Sequence, residues 1–478
     1  MARRPPAENC CAGFTRTEAM RAAIAAGREG GPGWSPREWD PRMPIPAGTG
    51  IDRRRFLLAA TGGLVSVYGA GRLGMGGRAL SEGIAQAATV QGPSSPILVS
   101  IFLAGGIDAL SVLAPTQDAT YRKLRPTLAV SPSDGIPFAE DPRLSWGPAA
   151  AGFAQLHSAG KLTVFPGIGY GDPDLSHFTS RHYWEVGAAD TGVMTGWLGR
   201  YLDQVGTASN PLQGLSMDSE MNPTLATAVN PVAAIDLPEN FSLWLRDVWG
   251  DVFSLTLDSA SAMGDAHRRS ADPAIAQVAG AASEVGVVRR ALAPFRDADG
   301  KPTYTVPVTY PTDSKSDFPQ RLAGLAAMIA SGLPLRCVAL TPETQFDTHA
   351  TQAETFGPGL TTISQAIAAF QADLEARGIA DRVLVHVWSE FGRRAQENGG
   401  KGTDHGAAGV GMLIGTRASG TMVGEWPALT NLDANGNQKE NVDFRGVYSS
   451  LLEQWFDHDA ASVIPGARTF PRYQLIRS

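Results

Sequence analysis

The chain has 478 residues, which is enough for one large domain or two smaller ones. Hydrophobic residues make up 43% of it, close to the globular average, and this excludes a globally disordered protein. The net charge of −7 and the lack of a Lys/Arg-rich patch argue against a nucleic-acid-binding protein. Of the 3 cysteines, two lie near the N-terminus. The third, Cys337, lies in an apolar segment and is interpreted as a buried small hydrophobic residue.

The N-terminal part of the chain predicts a leader and an export signal. Residues 1–50 are rich in Pro, Gly, Ala and Arg, and we expect a disordered leader. In residues 51–90, Arg53 and Arg54 precede a short, Gly-interrupted apolar run, as in a twin-arginine signal. Ala85–Ala87 resembles a cleavage site, and an uncleaved membrane anchor is the alternative. We therefore expect export by the twin-arginine machinery to the periplasm, the cell envelope or the exterior.

From about residue 96 onward, predicted strands alternate with predicted helices. The predicted strands are 97–103, 161–169, 334–341, 383–388 and 410–414, and the predicted helices include 176–186, 195–205, 318–332, 359–377 and 444–456. This alternation predicts an α/β fold, a doubly wound and mainly parallel sheet flanked by helices, over residues 91–478. Residues 210–310 are less regular and are interpreted as an insertion or cap outside the sheet.

Polar residues follow four of the predicted strands. In chain order they are Asp108, Ser176 with His177, Asp347 with His349, and Glu390 with Asp404 and His405. Parallel strands bring their carboxyl ends to one edge of a sheet, where ligands bind. Carboxylates and imidazoles suit zinc, manganese or another divalent ion. A hydroxyl at the start of a helix suits a nucleophile, since the backbone N–H groups there stabilise phosphate-like anions.

Each of these residues also has a plainer interpretation. Asp108 and Ser176 could serve only as helix N-caps. Glu390 could pair with Arg393 or Arg394, and residues 404–406 could form an ordinary turn. The convergence of all of them at strand ends, and no single residue, favours a site.

Six segments carry a family resemblance. They are FLAGGIDAL (102–110), LSHFTSRHYWEVG (175–187), GWLGRYLD (196–203), QFDTHATQ (345–352), WSEFGRRAQENGGKGTDHG (388–406) and DFRGVYSSLLEQWF (443–456). Together they resemble a bacterial domain-of-unknown-function family of the alkaline phosphatase–sulfatase superfamily, whose members are typically exported by the twin-arginine route. The resemblance covers about residues 96–460 and implies an alkaline phosphatase-like fold with metal-dependent hydrolysis of phosphate or sulfate esters.

The resemblance also implies roles for individual residues. Metal ligands would be Asp108, Asp347, His349, Glu390 and His405, with Asp404 as a substitute ligand or as a residue that orients His405. Ser176 would be the nucleophile. Beyond the resemblance, the hydrolase hypothesis gives Arg181 or Arg393 the role of holding the non-bridging oxygens of the ester, and His177 or His182 the role of protonating the leaving group. Phe391 stands where the family pattern has a ligand. A single metal ion, two ions and an inactive descendant are therefore all open.

The leading expectation is an exported hydrolase that uses one or two divalent ions, zinc, manganese or calcium, on a small-molecule or polymeric ester. Two other classes stay open. One is a non-catalytic binding protein on a decayed hydrolase fold, because fold alone does not determine function. The other is a metal-dependent transferase or phosphomutase. Substrate and oligomeric state are not predicted.

Overall fold

The computed structural model describes residues 67–68, 95–207, 209–240, 250–313 and 315–477. The predicted leader, 1–50, lies outside these residues. So does the predicted signal segment, 51–90, apart from residues 67–68. No helix in the described part of the chain is both long and apolar enough to cross a membrane.

A nine-stranded sheet forms the centre of the molecule, in the order β1-β8-β7-β9-β2-β10-β13-β6-β14. Its strands are β1 (Val67–Tyr68), β2 (Ile97–Phe102), β6 (Leu162–Gly169), β7 (Gly214–Ser216), β8 (Val232–Ala234), β9 (Cys337–Leu340), β10 (Val383–Trp388), β13 (Gly409–Ile414) and β14 (Val442–Asp443). The central strands β8, β7, β9, β2 and β10 are parallel, whereas β13 runs antiparallel to both β10 and β6. The carboxyl ends of β7, β9, β2 and β10 therefore share one edge.

Two small sheets and ten helices complete the described structure. The small sheets contain β3 (Leu113–Ala114), β4 (Ile136–Pro137) and β5 (Ser145–Trp146), and the hairpin of β11 (Gly392–Glu397) with β12 (Thr403–Gly406). The helices are α1 (Ala109–Val112), α2 (Ala119–Leu124), α3 (Ala151–Ser158), α4 (His177–Val186), α5 (Trp197–Val205), α6 (Gly250–His267), α7 (Pro273–Leu292), α8 (Phe318–Ala330), α9 (Gln352–Ala376) and α10 (Phe444–Gln454).

Both faces of the sheet are buried, which is why β2 and β10 are continuous apolar runs. Along β2, Val99 packs into a core with α3, α7, α8 and α9, whereas Leu98 packs into a second core with α5 and α10. Cys337 lies in β9, is fully buried and carries a free thiol. The predicted α/β fold with a mainly parallel sheet between helices is confirmed.

Two expectations about the elements need correction. Residues 210–310 are not wholly outside the sheet, because β7 pairs with β9 and β8 pairs with β7 in parallel. These strands are only three residues long, too short to show a periodic pattern. The helix predicted from Gly359 begins earlier, at Gln352, and continues through Pro358. The predicted apolar face of that helix is buried as expected.

Candidate metal centre

A Gly-Gly turn after β2 holds the carboxylate that follows β10. The backbone N–H groups of Gly105 and Gly106 donate to Glu390, at 2.9 and 3.0 Å, and the hydroxyl of Ser389 donates to it at 3.0 Å. Both glycines have positive φ, +107° and +71°. A Cβ at Gly105 would lie 2.3 Å from the backbone N of Asp347. Only glycine therefore fits there, and the turn brings the loops after β2, β9 and β10 together.

One oxygen of Asp347 lies at the centre of three imidazoles. Its Oδ1 is 3.0 Å from Nε2 of His349 and 3.4 Å from Nε2 of both His177 and His405. The Nε2 atoms of His349 and His405 are 3.1 Å apart. Among the described residues, His177, Asp347 and His405 place their ligand atoms within 4.8 Å of one another, close enough to hold one metal ion.

Each of the three imidazoles is oriented through its other nitrogen. Nδ1 of His177 lies 2.7 Å from Oε1 of Glu390, and Nδ1 of His405 lies 2.8 Å from the backbone oxygen of Leu175. Nδ1 of His349 lies 3.4 Å from Oδ1 of Asp404. A hydrogen bond at Nδ1 fixes the tautomer whose Nε2 lone pair can bind a metal ion, and protein metal sites use such partners routinely.

Phe391 forms an apolar wall beside these rings. Its ring centroid lies 4.8 Å from that of His177 and 4.7 Å from that of His405. Phe391 is itself buried, with 2% of its surface exposed. The family pattern placed a ligand at this position. Phe391 cannot ligate, but it limits the ring orientations that His177 and His405 can adopt.

Arg393 is fully buried and joins the same loops through hydrogen bonds. Its Nη2 donates to Oδ1 of Asp347 at 2.7 Å and to the backbone oxygens of Gly105 and Phe346. Nη1 donates to the oxygen of Thr403, and Nε to that of Gly106. We expected Arg393 to grip the ester oxygens. That expectation needs correction, because the whole guanidinium is used within the protein.

The charges in the cluster favour an ionised Asp347. Burial raises the pKa of Asp347, but the polar contacts of its carboxylate with the three histidines and Arg393 outweigh it and hold the pKa far below the usual value. Burial lowers the pKa of His177, yet Asp347 and Glu390 together raise it to about 9. Burial also lowers the pKa of His405; Asp347 raises it, and the charges of Arg393 and His177 lower it.

These donors match a divalent ion. Two or three imidazoles and one carboxylate form a set typical of zinc and related ions. Nε2 of His177 is buried, and its 3.4 Å separation from Asp347 is long for a hydrogen bond. A metal ion would give this buried nitrogen the partner that the protein does not supply at close range.

Asp108 does not join this group. It forms a buried ion pair with Arg125, whose Nη1 and Nη2 lie 2.5 and 2.8 Å from its two oxygens. Ser111 and Gln352 also donate to it. The expected role as a metal ligand is therefore wrong for this structure, because four donors surround the carboxylate. Asp108 occupies the N-cap position of α1, but its side chain makes no cap hydrogen bond. Nothing in the pattern around Arg125 had indicated this pairing.

Glu390 and Asp404 also differ from the expected ligands. Glu390 is saturated by the Gly-Gly turn and His177, and it pairs with neither Arg393 nor Arg394 through any described hydrogen bond. Asp404 is half exposed, accepts from Asn398 at 3.0 Å and faces His349 instead of His405. Both carboxylates orient histidines in this arrangement.

Three of the expected site residues, Ser176, His177 and His182, lie at the start of α4 or within it. Ser176 takes the N-cap position of α4, directly before His177, and its hydroxyl makes no cap hydrogen bond. His177, expected to protonate a leaving group, has both nitrogens directed at carboxylates. His182 has 1% of its surface exposed, so it does not face an open site.

Comparison with known proteins places this site within a family. The model described as "Protein of unknown function (DUF1501)" matches residues 172–445. The chain belongs to the DUF1501 family. The matched range contains His177, Asp347, His349, Glu390 and His405. A search of curated proteins found no match.

Solved structures similar to this DUF1501 protein include the following three. Ps i-CgsB has a TM-score of 0.36 and 10% identity, over 78% of this chain and 74% of that chain. The C-terminal periplasmic domain of EcEptC from Escherichia coli, in complex with Zn, has 0.33 and 9%, over 77% and 87%. The PsFucS1 sulfatase from Pseudoalteromonas sp. has 0.32 and 11%, over 83% and 77%.

Proposed function

We propose that this protein is an exported, metal-dependent hydrolase of phosphate or sulfate esters, with an alkaline phosphatase-like fold. The observation that carries the proposal is the convergence of three imidazole Nε2 atoms on Oδ1 of Asp347. Each imidazole has its Nδ1 held by a carboxylate or a carbonyl. Such pre-arranged nitrogen and oxygen donors cost little reorganisation when a divalent ion binds.

His177, Asp347 and His405 would hold the ion, and zinc fits this donor set better than calcium, which prefers oxygen ligands. A bound divalent ion would lower the pKa of a nearby hydroxyl and neutralise charge on the ester oxygens. Arg393 keeps Asp347 in place, and Glu390 keeps His177 in place. The ring of Phe391 packs beside those of His177 and His405.

Ser176 is the proposed nucleophile. It directly precedes His177 at the N-terminus of α4, where backbone N–H groups favour an anion. With a divalent ion bound, its hydroxyl would release its proton to solvent, and Oγ would form a bond to phosphorus or sulfur while the bond to the leaving oxygen breaks and that oxygen takes up a proton. Water would then displace Oγ from phosphorus or sulfur, which releases phosphate or sulfate and restores the serine hydroxyl. His349 is the proposed proton donor, because its side chain is the most exposed of the three histidines, at 37%.

The test combines elemental analysis with an ester screen of the purified protein. We expect about one divalent ion per chain and hydrolysis of an aryl phosphate or sulfate. Ser176→Ala should abolish hydrolysis and keep the metal, and His405→Ala should lose both. Ser133→Ala, an exposed serine, is the matched control.

Three results would contradict parts of the proposal. A metal-free wild-type protein would favour the non-catalytic binding protein. Activity that survives Ser176→Ala would move the nucleophile to another group. Transfer of the phosphoryl group to an acceptor alcohol in preference to water would favour the transferase or phosphomutase.

A further inference from the structure

Three arginines around the carboxyl edge of the sheet are used entirely within the protein. Arg125 binds Asp108 and the backbone oxygen of Arg394, and Arg393 binds the loops described above. Arg321 donates through Nη1 to Met217 and Asp218, and through Nη2 to Thr341 and Glu343. In each of them both Nη atoms have a protein partner and the side chain is buried, so none is open to a ligand.

Arg181 differs from these three. Its Nε donates to Oε1 of Glu185 at 2.7 Å, and its guanidinium lies 4.6 Å from the ring centroid of Phe102. No hydrogen bond or ion pair to another described residue engages its Nη1 or Nη2. The side chain is 28% exposed. Arg181 is therefore fixed by Glu185 at Nε and by the ring of Phe102 on one face of the guanidinium. Nη1 and Nη2 have no hydrogen-bond partner among the described residues.

The position of Arg181 relates it to the candidate metal centre. It lies on α4 four residues after His177, and residues at this spacing are neighbours on a helix surface, about 5–6 Å apart at Cβ. Phe102, beneath it, ends β2 at the same edge of the sheet. Burial lowers the pKa of Arg181, but Glu185 above all, with Glu390 and Asp218, raises it above the usual value. Arg181 is charged at every physiological pH.

We propose that Arg181, which the sequence offered as a holder of the cleaved ester's oxygens, instead forms an anion-binding subsite beside the metal centre, for a second anionic group of the substrate that is not the ester group being cleaved. This deepens the proposed function and rests on it for the identity of the substrate. A guanidinium already fixed through Nε and stacked on an aromatic ring loses little entropy when Nη1 and Nη2 bind a carboxylate or sulfate through two parallel hydrogen bonds. The preferred substrate is thus an ester that carries a further carboxylate, sulfate or phosphate.

The activity test uses two aryl phosphates that differ by a carboxylate on the leaving group. Arg181→Gln should raise KM for the carboxylated ester about 10-fold or more, as expected for one charge-assisted hydrogen-bonded contact. For the aryl phosphate without the carboxylate, kcat and KM should stay within about 2-fold. Arg181→Lys should retain part of the preference, because it keeps the charge without the bidentate geometry. Arg122→Gln, at an exposed arginine, is the control of equal charge.

A binding measurement separates this subsite from the hydrolase activity. Sulfate is titrated calorimetrically into the EDTA-treated His405→Ala variant, with and without Arg181→Gln, and thermal unfolding checks that each variant is folded. We expect sulfate binding that weakens at least about 10-fold without Arg181. If sulfate binds in this way but no ester is hydrolysed, the subsite stands and the hydrolase proposal fails. Equal losses on both esters, or sulfate binding that ignores Arg181, would overturn the subsite.

Discussion

Nδ1 of His177 lies 2.7 Å from Oε1 of Glu390, a carboxylate that is 2% exposed. The same carboxylate accepts the N–H groups of the Gly105–Gly106 turn. The residue after β10 is thus connected to both the loop after β2 and the first turn of α4. Glu390, expected from the sequence to bind metal, contacts Nδ1 of His177 in this structure, while Nε2 of the same ring faces Asp347.

Glu390→Gln should therefore weaken metal binding without removing a ligand. The amide loses the charge that orients His177 and supports its basicity, and changes of this kind cost about 10–100-fold in metal affinity. Zinc affinity is measured by competition with a chromogenic chelator.

The control for Glu390 is Glu425→Gln, at an exposed glutamate outside the site. An unchanged zinc affinity for Glu390→Gln, with the protein folded, would show that Glu390 does not position His177. If Glu390→Gln neither binds zinc nor folds, the zinc measurement is repeated with Glu390→Asp, which keeps the charge.

We expect variants of His405 and His349 to behave differently, because His405 is a proposed metal ligand and His349 is the proposed proton donor. His405→Ala removes a proposed ligand, so the purified protein should contain little metal. His349→Gln should keep most of the metal and lose about 10²–10⁴-fold in kcat, the usual contribution of general acid catalysis. Elemental analysis and steady-state kinetics measure the two effects.

His267→Ala, in the exposed end of α6, provides the control for the histidine variants. Metal loss in His349→Gln equal to that in His405→Ala would make His349 a fourth ligand. The proposed division of roles would then be wrong.

Asp108→Asn should destabilise the fold and leave the metal content unchanged. Arg125 would lose its buried counter-charge, and breaking one half of a buried ion pair costs about 3–5 kcal/mol. Burial raises the pKa of Asp108, but Arg125 outweighs it and lowers the pKa. The pair's stabilisation is present above the unfolded pKa and is lost as the pH falls. Urea unfolding measures the change.

Asp134→Asn, at an exposed aspartate, is the matched control for Asp108. A variant of Asp108 that stays stable and loses its metal would instead restore the role that the family resemblance implied for this residue.

Because of Glu284, the free energy of unfolding should fall as the pH rises from mildly acidic to mildly alkaline values. Burial raises the pKa of this carboxyl, in α7, to about 8, against 4.5 ordinarily. Between these values the unfolded chain releases a proton that the folded protein retains. Unfolding is therefore favoured as the pH rises, by up to about 1.4 kcal/mol per pH unit.

Glu284→Gln should flatten this pH dependence, whereas Glu354→Gln, at an exposed position, should not. Thermal unfolding from pH 4.5 to 8 is the measurement. A pH profile identical to that of the wild-type protein would show that Glu284 is ionised in the folded state.

Most strands and helices around the candidate site, and the edge of the sheet on which it lies, could be predicted from the amino-acid sequence. The apolar runs of β2, β6 and β10 are long enough to predict strands, and the helical spacing from Leu360 to Leu374 predicts most of α9. Because parallel strands end on one side of a sheet, the polar residues after them had to lie near each other. Asp347, His349 and His405 were predicted as ligands on this ground, and their side chains do lie close together.

The partner of each charged residue depends on tertiary contacts and could not be predicted from the sequence. Asp108 and Glu390 both follow strands as carboxylates, yet one pairs with Arg125 and the other with His177. Sequence position determines the edge of the sheet where a side chain lies, to within several ångströms. Ligation and ion pairing depend on contacts of about 3 Å, which loops such as the Gly105–Gly106 turn set through residues distant in the chain.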